Sequence, residues 1–274
     1  MAFQTEYDVT QRFIPKPSKR RSGLHIDPGV KFVVAHDTGN SGSTAAGNVS
    51  YYSNSCNVES ASAHIFVDDN SIIECIPALT IDQPEKAWHV IYNVNTDNKL
   101  FGFHANDAAI GIEYCFGPRI DADEAYRRYV WVIAYTCFHF KISPTKVVGH
   151  HFLDPQRKTD PVSGLALSRR SYDQLLKDVV TKYAAGVAES ANGLVPDGGE
   201  KPFLDGGGNV RVDTSLNIRL QAPTRLAPVV RTAKPNEILA YSAVTNAGES
   251  VNGNTRWLRD SNGNYFWSGA TTPI

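Results

Sequence analysis

The residues best suited to chemistry lie in one short stretch, Val147–Asp160, where two adjacent histidines and an acid follow an apolar run. The run ends at Gly149, His150 and His151 come directly after it, and Asp160 follows a loop. Neutral imidazole and carboxylate oxygen are both good Zn²⁺ ligands, and a catalytic zinc takes three protein ligands and leaves one position open. This stretch can supply two of the three.

The third ligand must come from elsewhere, and His36 is the best candidate because it also ends an apolar run, 31–35. A single histidine at a strand end is usually a hydrogen-bonded structural residue, so neither His36 nor His150 alone would indicate a metal. The pairing of two such histidines with Asp160 and Lys158 does. All eight histidines lie in the first 151 residues, which confines the predicted metal chemistry to the N-terminal part.

The stretch from Gly149 to Pro161 reads G-H-x-x-x-x-P-x-R-K-x-D-P. It resembles the zinc-site signature of type-2 N-acetylmuramoyl-L-alanine amidases, a group that includes phage lysozyme-like amidases and peptidoglycan recognition proteins. Three further stretches share the resemblance, which covers roughly two thirds of the chain: V-V-A-H-D-T-G at 33–39, S-A-H-I-F-V-D-D at 62–69 and A-I-G-I-E at 109–113. The resemblance implies a Zn²⁺ cofactor held by His36, His150 and Asp160. In the family pattern the ligand follows the glycine directly, which favours His150 over His151. The alternation of side chains at a strand end is expected to send His151 to the opposite face.

Glu113 is the predicted catalytic base. It lies in the apolar run I-G-I-E-Y, where a carboxylate is unusual unless it is paired or ends a strand. The alternative is a strand-end glutamate that faces solvent. The resemblance favours the base, since relatives with S-A-H at the second strand tend to carry a catalytic glutamate on the following strand. Other relatives carry a tyrosine just before that histidine, where this chain has Ala63.

Lys158 is the predicted stabiliser of negative charge in the transition state. It precedes Asp160 by two residues, so in an extended loop the two side chains share one side. The alternative is an exposed lysine. Three residues are predicted to bind substrate, each with a structural alternative: His64, Trp88 and His89. Trp88 would stack on a sugar or fill the core, and the two histidines would line a groove, support a ligand or serve as hydrogen-bonded structural residues.

Composition sets outer limits on the partners. The 274 residues are 42% hydrophobic and 20% charged with a net charge of −1, so no overall field attracts nucleic acid or an anionic membrane. No apolar run approaches the roughly 18 residues of a membrane-spanning helix. The first residues lack the basic start and apolar stretch of a secretory signal, so we expect either another exit route from the cytoplasm or a signal already removed.

Four widely spaced cysteines are predicted to be buried thiols, with a Cys56–Cys75 bridge as the alternative.

The pattern of apolar residues predicts an α/β fold with helices around one mixed sheet. A helix is expected over 121–140, capped by Asp121 and with one buried stripe formed by Tyr126, Tyr129, Val130, Ile133 and Cys137. Another is expected from Ser171 onward, and a shorter one is expected to be capped by Ser43 and to run through Tyr52, whereas residues 1–30 are expected to be irregular. The expected strands are 31–35, a hairpin of 64–67 and 71–76, 109–115 and 146–149, and residues 86–90 are expected to form a short strand or a strand end.

The chain divides by composition into three parts. Residues 1–183 form the predicted zinc amidase domain, and 184–208, rich in Gly, Ala and acids, form a predicted flexible linker. Residues 209–274 carry short β-rich runs between turns, which predict a small all-β barrel. L-N-I-R and W-L-R-D-x-x-G-N-Y-F-W in this part resemble bacterial SH3-like (SH3b) domains, which often bind cell wall.

The resemblances together imply an enzyme that hydrolyses the amide between the lactyl group of muramic acid and L-alanine in peptidoglycan. We expect a monomer whose C-terminal domain binds a cell-wall polymer. It would act at the bacterial wall as a phage endolysin or as a secreted autolysin. The alternative is a non-hydrolytic peptidoglycan-recognition module, but such relatives lose one or more ligands that this chain retains.

Overall fold

The computed structural model describes residues 3–192, 204–219, 223–225, 227, 229–246 and 248–274. The chain forms two compact units. One comprises residues 5–142 and 146–179, and the other comprises the described residues of 1–4, 143–145 and 180–274. The two units are taken in turn.

The first unit is built on one mixed six-stranded sheet, which confirms the predicted fold class. Its strands are β1 (Val9–Gln11), β2 (Phe32–Asp37), β3 (Ile65–Val67), β4 (Ile72–Glu74), β5 (Ala109–Tyr114) and β6 (Val147–Gly149). The helices are α1 (Ala45–Asn54), α2 (Thr96–Phe101), α3 (Ala105–Ala108), α4 (Ala122–His139), α5 (His150–Leu153), α6 (Val162–Leu167) and α7 (Tyr172–Asn192), of which α7 runs on into the second unit. The sheet order is β1-β4-β3-β5-β2-β6; strands β3, β5, β2 and β6 run parallel, whereas β4 is antiparallel to β3.

Strand β2 lies in the middle of the parallel part and is buried along its whole length. One face of the sheet packs on α4, where the hydroxyl of Tyr129 donates to the carbonyl of His36 at 2.9 Å. On the other face Phe32 and Val34 belong to a buried apolar cluster. Because side chains alternate along a strand, His36 follows Phe32 and Val34 on that second face.

Helix α4 confirms the clearest sequence prediction. Asp121 caps it, and its side chain accepts the backbone N–H groups of Asp123 and Glu124. Such a cap stabilises a helix by about 1 kcal/mol because it satisfies backbone donors that lack partners within the helix. The predicted apolar stripe, Tyr126, Tyr129, Val130, Ile133 and Cys137, is buried.

Three local predictions were wrong. Residues 9–11, expected to be irregular, form β1, which is too short to show an alternating pattern. The stretch 86–90 is not a strand, because the N–H groups of His89 and Val90 donate to the side chain of Asn106 instead of a neighbouring strand. Helix α1 is capped by Thr44, one residue after the expected cap.

The second unit contains an antiparallel sheet of seven strands in the order β13-β7-β10-β11-β12-β8-β9. The strands are β7 (Leu204–Val212), β8 (Leu216–Arg219), β9 (Val229–Ala233), β10 (Ile238–Thr245), β11 (Trp257–Arg259), β12 (Tyr265–Trp267) and β13 (Thr271–Pro273). Its core includes Val212, Ile218, Val244 and Phe266. An all-β C-terminal region is therefore confirmed, whereas its likeness to SH3-like domains stays a prediction.

The predicted linker, 184–208, is structured at both ends. Helix α7 continues through Asn192, and β7 begins at Leu204, where three consecutive glycines had suggested flexible chain. Gly208 in this run pairs with Tyr241 of β10. The central part of the predicted linker, 193–203, lies outside the described residues.

Two smaller predictions concern cysteines and membranes. All four cysteines are buried and free, which confirms buried thiols and leaves no Cys56–Cys75 bridge. In the described part of the chain, no helix combines the length and apolar character that a membrane span requires.

Candidate metal centre

The predicted chemical residues meet at one edge of the sheet. His36 lies near the carboxyl end of β2, Glu113 near that of β5, and His150 directly after β6. The strands are parallel, and His36 is in register with Glu113, as Ala35 is with Gly149. In open α/β sheets, ligands bind outside the carboxyl ends of the strands.

Three side chains converge there. The Oδ2 atom of Asp160 lies within hydrogen-bond distance of two ring nitrogens, Nδ1 of His36 at 2.9 Å and Nδ1 of His150 at 3.0 Å. The two imidazole rings lie 4.6 Å apart and are inclined by 72°. Each histidine side chain is only 3% exposed and that of Asp160 14%, so the cluster is shielded from solvent.

The electrostatics favour the protonation states that a metal needs. Burial lowers the pKa of His36 to about 4, which keeps this imidazole neutral at physiological pH. Burial alone would raise the pKa of Asp160, but hydrogen bonds from His150 and His36 lower it well below its usual range. Metal ligands must be deprotonated to bind, and both groups meet that condition.

The cluster fits a divalent cation by its donor set. Two imidazole nitrogens and one carboxylate oxygen, all within 4.8 Å of one another, match the three-ligand set of catalytic zinc sites. The other ring nitrogen of His150, Nε2, is buried without a hydrogen-bond partner. Within the described ranges, no second group of His, Cys, Asp and Glu side chains is arranged in this way.

Asp37, which sequence reasoning missed, fastens the loop that carries Asp160. Its Oδ2 accepts from the hydroxyl of Ser163 at 2.8 Å and from the N–H of Gly164 at 2.7 Å, and its Oδ1 accepts from the N–H of Gly39. Asp37 is 6% exposed, and buried carboxylates are rarely left unpaired. The only sequence signal was its place directly after His36.

His150 and His151 separate for a different reason from the one expected. They open helix α5 and do not continue the strand, so their side chains diverge by helical rotation. The ring of His151 folds over Gly149, where a Cβ atom would meet its Nδ1 at 2.5 Å, and packs against Tyr172 at 4.8 Å. His150 alone of the pair therefore joins the cluster.

Glu113 and Lys158 lie beside the cluster. The Oε2 atom of Glu113 is buried without a hydrogen-bond partner. Burial and the charges of Asp160 and Asp37 raise the pKa of Glu113 well above its usual value, and the nearby Lys158 opposes this rise. Lys158 itself is half-buried.

Residues 27–163 match the N-acetylmuramoyl-L-alanine amidase family, Amidase_2. The chain belongs to this family. It is 26% identical over 198 residues to the N-acetylmuramoyl-L-alanine amidase CwlL of Bacillus licheniformis, a match that covers 67% of this chain and 52% of CwlL. The chain thus spans about half the length of the curated relatives it matches.

Two solved structures extend the comparison. A mutant endolysin from Bacillus subtilis is 26% identical with a TM-score of 0.51, and the match covers 63% of this chain and 99% of the endolysin. The Staphylococcus aureus hydrolase AmiA, solved in complex with its ligand, is 21% identical with a TM-score of 0.54, and the match covers 66% and 86% of the two chains. At that identity the second likeness concerns the fold.

The residues predicted to bind substrate take three different places in this amidase-family fold. His64 is fully buried, its Nε2–H donates to the carbonyl of Glu85 at 2.9 Å, and its Nδ1 accepts from the N–H of Gly111 at 3.0 Å, so it serves as a structural residue. His89 is 8% exposed and contacts the candidate metal ligand His36, since its Nδ1 lies 3.0 Å from Nε2 of His36. Trp88 alone of the three is partly exposed.

Proposed function

We propose that the protein is a zinc-dependent N-acetylmuramoyl-L-alanine amidase that cleaves the amide between the lactyl group of muramic acid and L-alanine of the stem peptide. One observation carries the proposal: two buried imidazoles and a carboxylate converge beside Glu113 at the carboxyl edge of the sheet. Membership of the amidase family supports the reaction.

In this proposal His36, His150 and Asp160 hold the metal. A bound Zn²⁺ supplies a Lewis acid that polarises a carbonyl group and increases the acidity of water. The shielding of the three side chains keeps competing water away, and the tie between Asp37 and the first turn of α6 keeps the Asp160 loop against the sheet.

Glu113 acts as the base. The oxygen of the attacking water forms a bond to the scissile carbonyl carbon while Glu113 takes one of its protons. The carbon–nitrogen bond then breaks, and the same proton passes from Glu113 to the departing amine of L-alanine. A carboxyl group whose pKa is raised binds a proton more strongly than an ordinary carboxylate, which suits this exchange.

Lys158 stabilises the negative charge that develops on the carbonyl oxygen. Its ammonium lies close enough to lower the pKa of both His36 and Glu113. Among the described residues no carboxylate lies within salt-bridge distance of it, which leaves its charge available to a substrate oxygen. Trp88, at the edge of the site, offers an aromatic surface for a sugar ring.

The test is digestion of a soluble muropeptide and of purified cell wall with the full chain. We expect new free amino groups of L-alanine, loss of this activity after chelation, and recovery on addition of Zn²⁺. Binding to the wall without release of amino groups, at full zinc content, would support a non-hydrolytic recognition module and refute the amidase. Activity that persists after complete chelation would refute the zinc site.

We further propose that the C-terminal β-domain anchors the enzyme to the wall, as expected for a monomeric endolysin or autolysin. All proposed catalytic residues precede α7, so removal of 193–274 should leave cleavage of a soluble muropeptide nearly unchanged and slow cleavage of intact walls, because tethering raises local substrate concentration. The truncation should follow Asn192, since a cut at 184 would divide α7. Equal losses on both substrates would contradict an anchoring role.

A further inference from the structure

The imidazole of His89 occupies a space that exists only because residue 111 is glycine. A Cβ atom on Gly111 would meet Cγ and Nδ1 of His89, each at 2.8 Å. Gly111 lies in the buried middle of β5, two residues before Glu113. The strand therefore has a gap beside the metal cluster, and an imidazole fills it.

In this space the ring of His89 contacts His36, one of the three proposed metal ligands. Its Nδ1 lies 3.0 Å from Nε2 of His36, the ring nitrogen that does not face Asp160. The two rings meet edge to face, 5.2 Å apart and inclined by 83°. A neutral imidazole has only one N–H, so the tautomer of His36 is coupled to which of the two rings donates at this contact.

The backbone of His89 is fastened independently of its ring. The side-chain oxygen of Asn106 accepts the N–H groups of both His89 and Val90 at 2.9 Å, and the Asn106 amide donates to the carbonyl of Val90. Asn106 is 1% exposed and lies on α3, which leads directly into β5. Because one buried residue links the two segments, the His89 ring is positioned relative to the strand that carries Gly111.

We infer that His89 is a positioning residue for the metal centre: its Nδ1 accepts the Nε2–H of His36 and thereby presents the Nδ1 of His36, unprotonated, to the metal. Gly111 provides the space for this contact. The inference rests on the proposed zinc site but makes no use of the amidase reaction. Partners of this kind orient metal-ligating histidines, and their loss typically lowers metal affinity about 10–100-fold.

Two substitutions of His89 separate hydrogen bonding from packing. In asparagine the side-chain oxygen is bonded to Cγ, as Nδ1 is in histidine, so His89→Asn keeps an acceptor near the correct position. In glutamine the amide lies one atom further out, at the position of Nε2, so His89→Gln keeps polarity and loses the contact. Zinc affinity of the full chain, measured by competition with a chromogenic chelator, should fall about 10–100-fold in His89→Gln and far less in His89→Asn.

A substitution of Gly111 tests the same contact between His89 and His36. Gly111→Ala should displace the His89 ring and weaken zinc binding without removal of any polar group. In a His89→Ala background the space is empty, so Gly111→Ala should cause no further loss. Val49→Ala, which opens a cavity in a separate apolar cluster, controls for general destabilisation and should leave zinc affinity unchanged. The absorption spectrum of the Co²⁺ form should shift in His89→Gln and Gly111→Ala alone.

The outcomes distinguish this inference from the proposed function. A wild-type chain that binds no zinc would refute the zinc site itself. A wild-type chain that binds zinc, with all His89 variants binding it equally well, would refute the role of His89 and leave the amidase proposal intact. Equal losses in His89→Asn and His89→Gln, or additive losses with Gly111→Ala, would mean that His89 contributes through packing alone.

Discussion

Substitution of Glu113 by glutamine separates catalysis from metal binding. The two side chains have nearly the same shape, and Glu113 is not one of the three converging ligands. Its Oε2 atom has no hydrogen-bond partner, so the exchange breaks no bond at that atom. Glu113→Gln should therefore fold and bind zinc as the wild type does while it loses the group that accepts the proton of water.

The expected loss of turnover in Glu113→Gln follows from the role of Glu113 as the catalytic base. General acid–base catalysis contributes about 10²–10⁴-fold to a rate. At about 1.36 kcal/mol for each factor of ten, the activation barrier should rise by roughly 2.7–5.4 kcal/mol. The loss should appear in kcat, with KM for a soluble muropeptide little changed, because Glu113 acts on the water proton and does not hold the substrate.

The stability of Glu113→Gln, compared with that of the wild type, should increase as pH rises. In the metal-free protein the pKa of Glu113 is raised, first by burial and then by Asp160 and Asp37, so the folded state binds its proton more tightly than the unfolded state. That contribution is fully present below the ordinary pKa of 4.5 and is lost as pH rises toward the folded value. Glutamine does not ionise, so the Tm of chelated Glu113→Gln, relative to wild type, should increase between pH 4 and pH 8.

Glu74 provides a control, because it is also a glutamate in a strand and its side chain is fully buried. Its carboxylate accepts hydrogen bonds from the N–H groups of Ala78, Leu79 and Thr80 and from the Thr80 hydroxyl. Glu74→Gln should therefore lower Tm and leave turnover of folded protein unchanged. The test measures turnover, zinc content and Tm for both Glu113→Gln and Glu74→Gln. A near-wild-type kcat in Glu113→Gln at full zinc content would refute the assignment of the base.

Three further predictions concern the metal, the lysine and the fold. His150→Ala should lose the roughly one zinc per chain expected by elemental analysis, whereas His151→Ala should retain it; the reverse result would assign the wrong neighbour. Lys158→Ala should lower kcat more than it raises KM in steady-state kinetics, whereas an effect on KM alone would make it a binding residue. Arg21 holds buried Glu85 at 2.7 and 2.8 Å, and Lys16 would remain paired with the same carboxylate at 3.2 Å, so Arg21→Ala should cost about 1.5–3 kcal/mol by denaturant unfolding. Burial alone would raise the pKa of Glu85, but Arg21 helps to lower it. The stabilisation that follows from the lowered pKa is present at neutral pH and lost in acid. Arg21→Ala should therefore weaken the acid sensitivity of unfolding.

The sequence predicted the convergence of ligands because that convergence follows from chain order and strand direction. His36 and His150 each end or follow a short β-branched run, and parallel neighbouring strands bring their carboxyl ends to one edge. Helix α4 was equally predictable, since its cap and apolar stripe are local patterns. The predicted roles of His36, His150, Asp160, Glu113 and Lys158 remain predictions until the variants are measured.

Contacts between distant segments escaped prediction. Asp37 meets Ser163 and Gly164 across more than 120 residues, and no local pattern marks the pair. His89 was expected to line a groove, support a ligand or serve as a structural residue, and only the structure shows that its N–H donates to Asn106 and that its ring reaches His36. Composition also misled at β7, whose glycine run resembles a linker and is paired in the sheet.

Two glycines make room for the side chains of the proposed metal centre. Gly111 makes room for His89, and Gly149 makes room for His151 and for Pro161, whose Cδ would lie 3.0 Å from an added Cβ. Pro161 directly follows Asp160, so an alanine at 149 would press on the ligand loop itself, whereas an alanine at 111 would act on His36 only through a second imidazole. In this chain the glycine of G-H thus has a steric reason that is separate from the chemistry of the histidine it precedes.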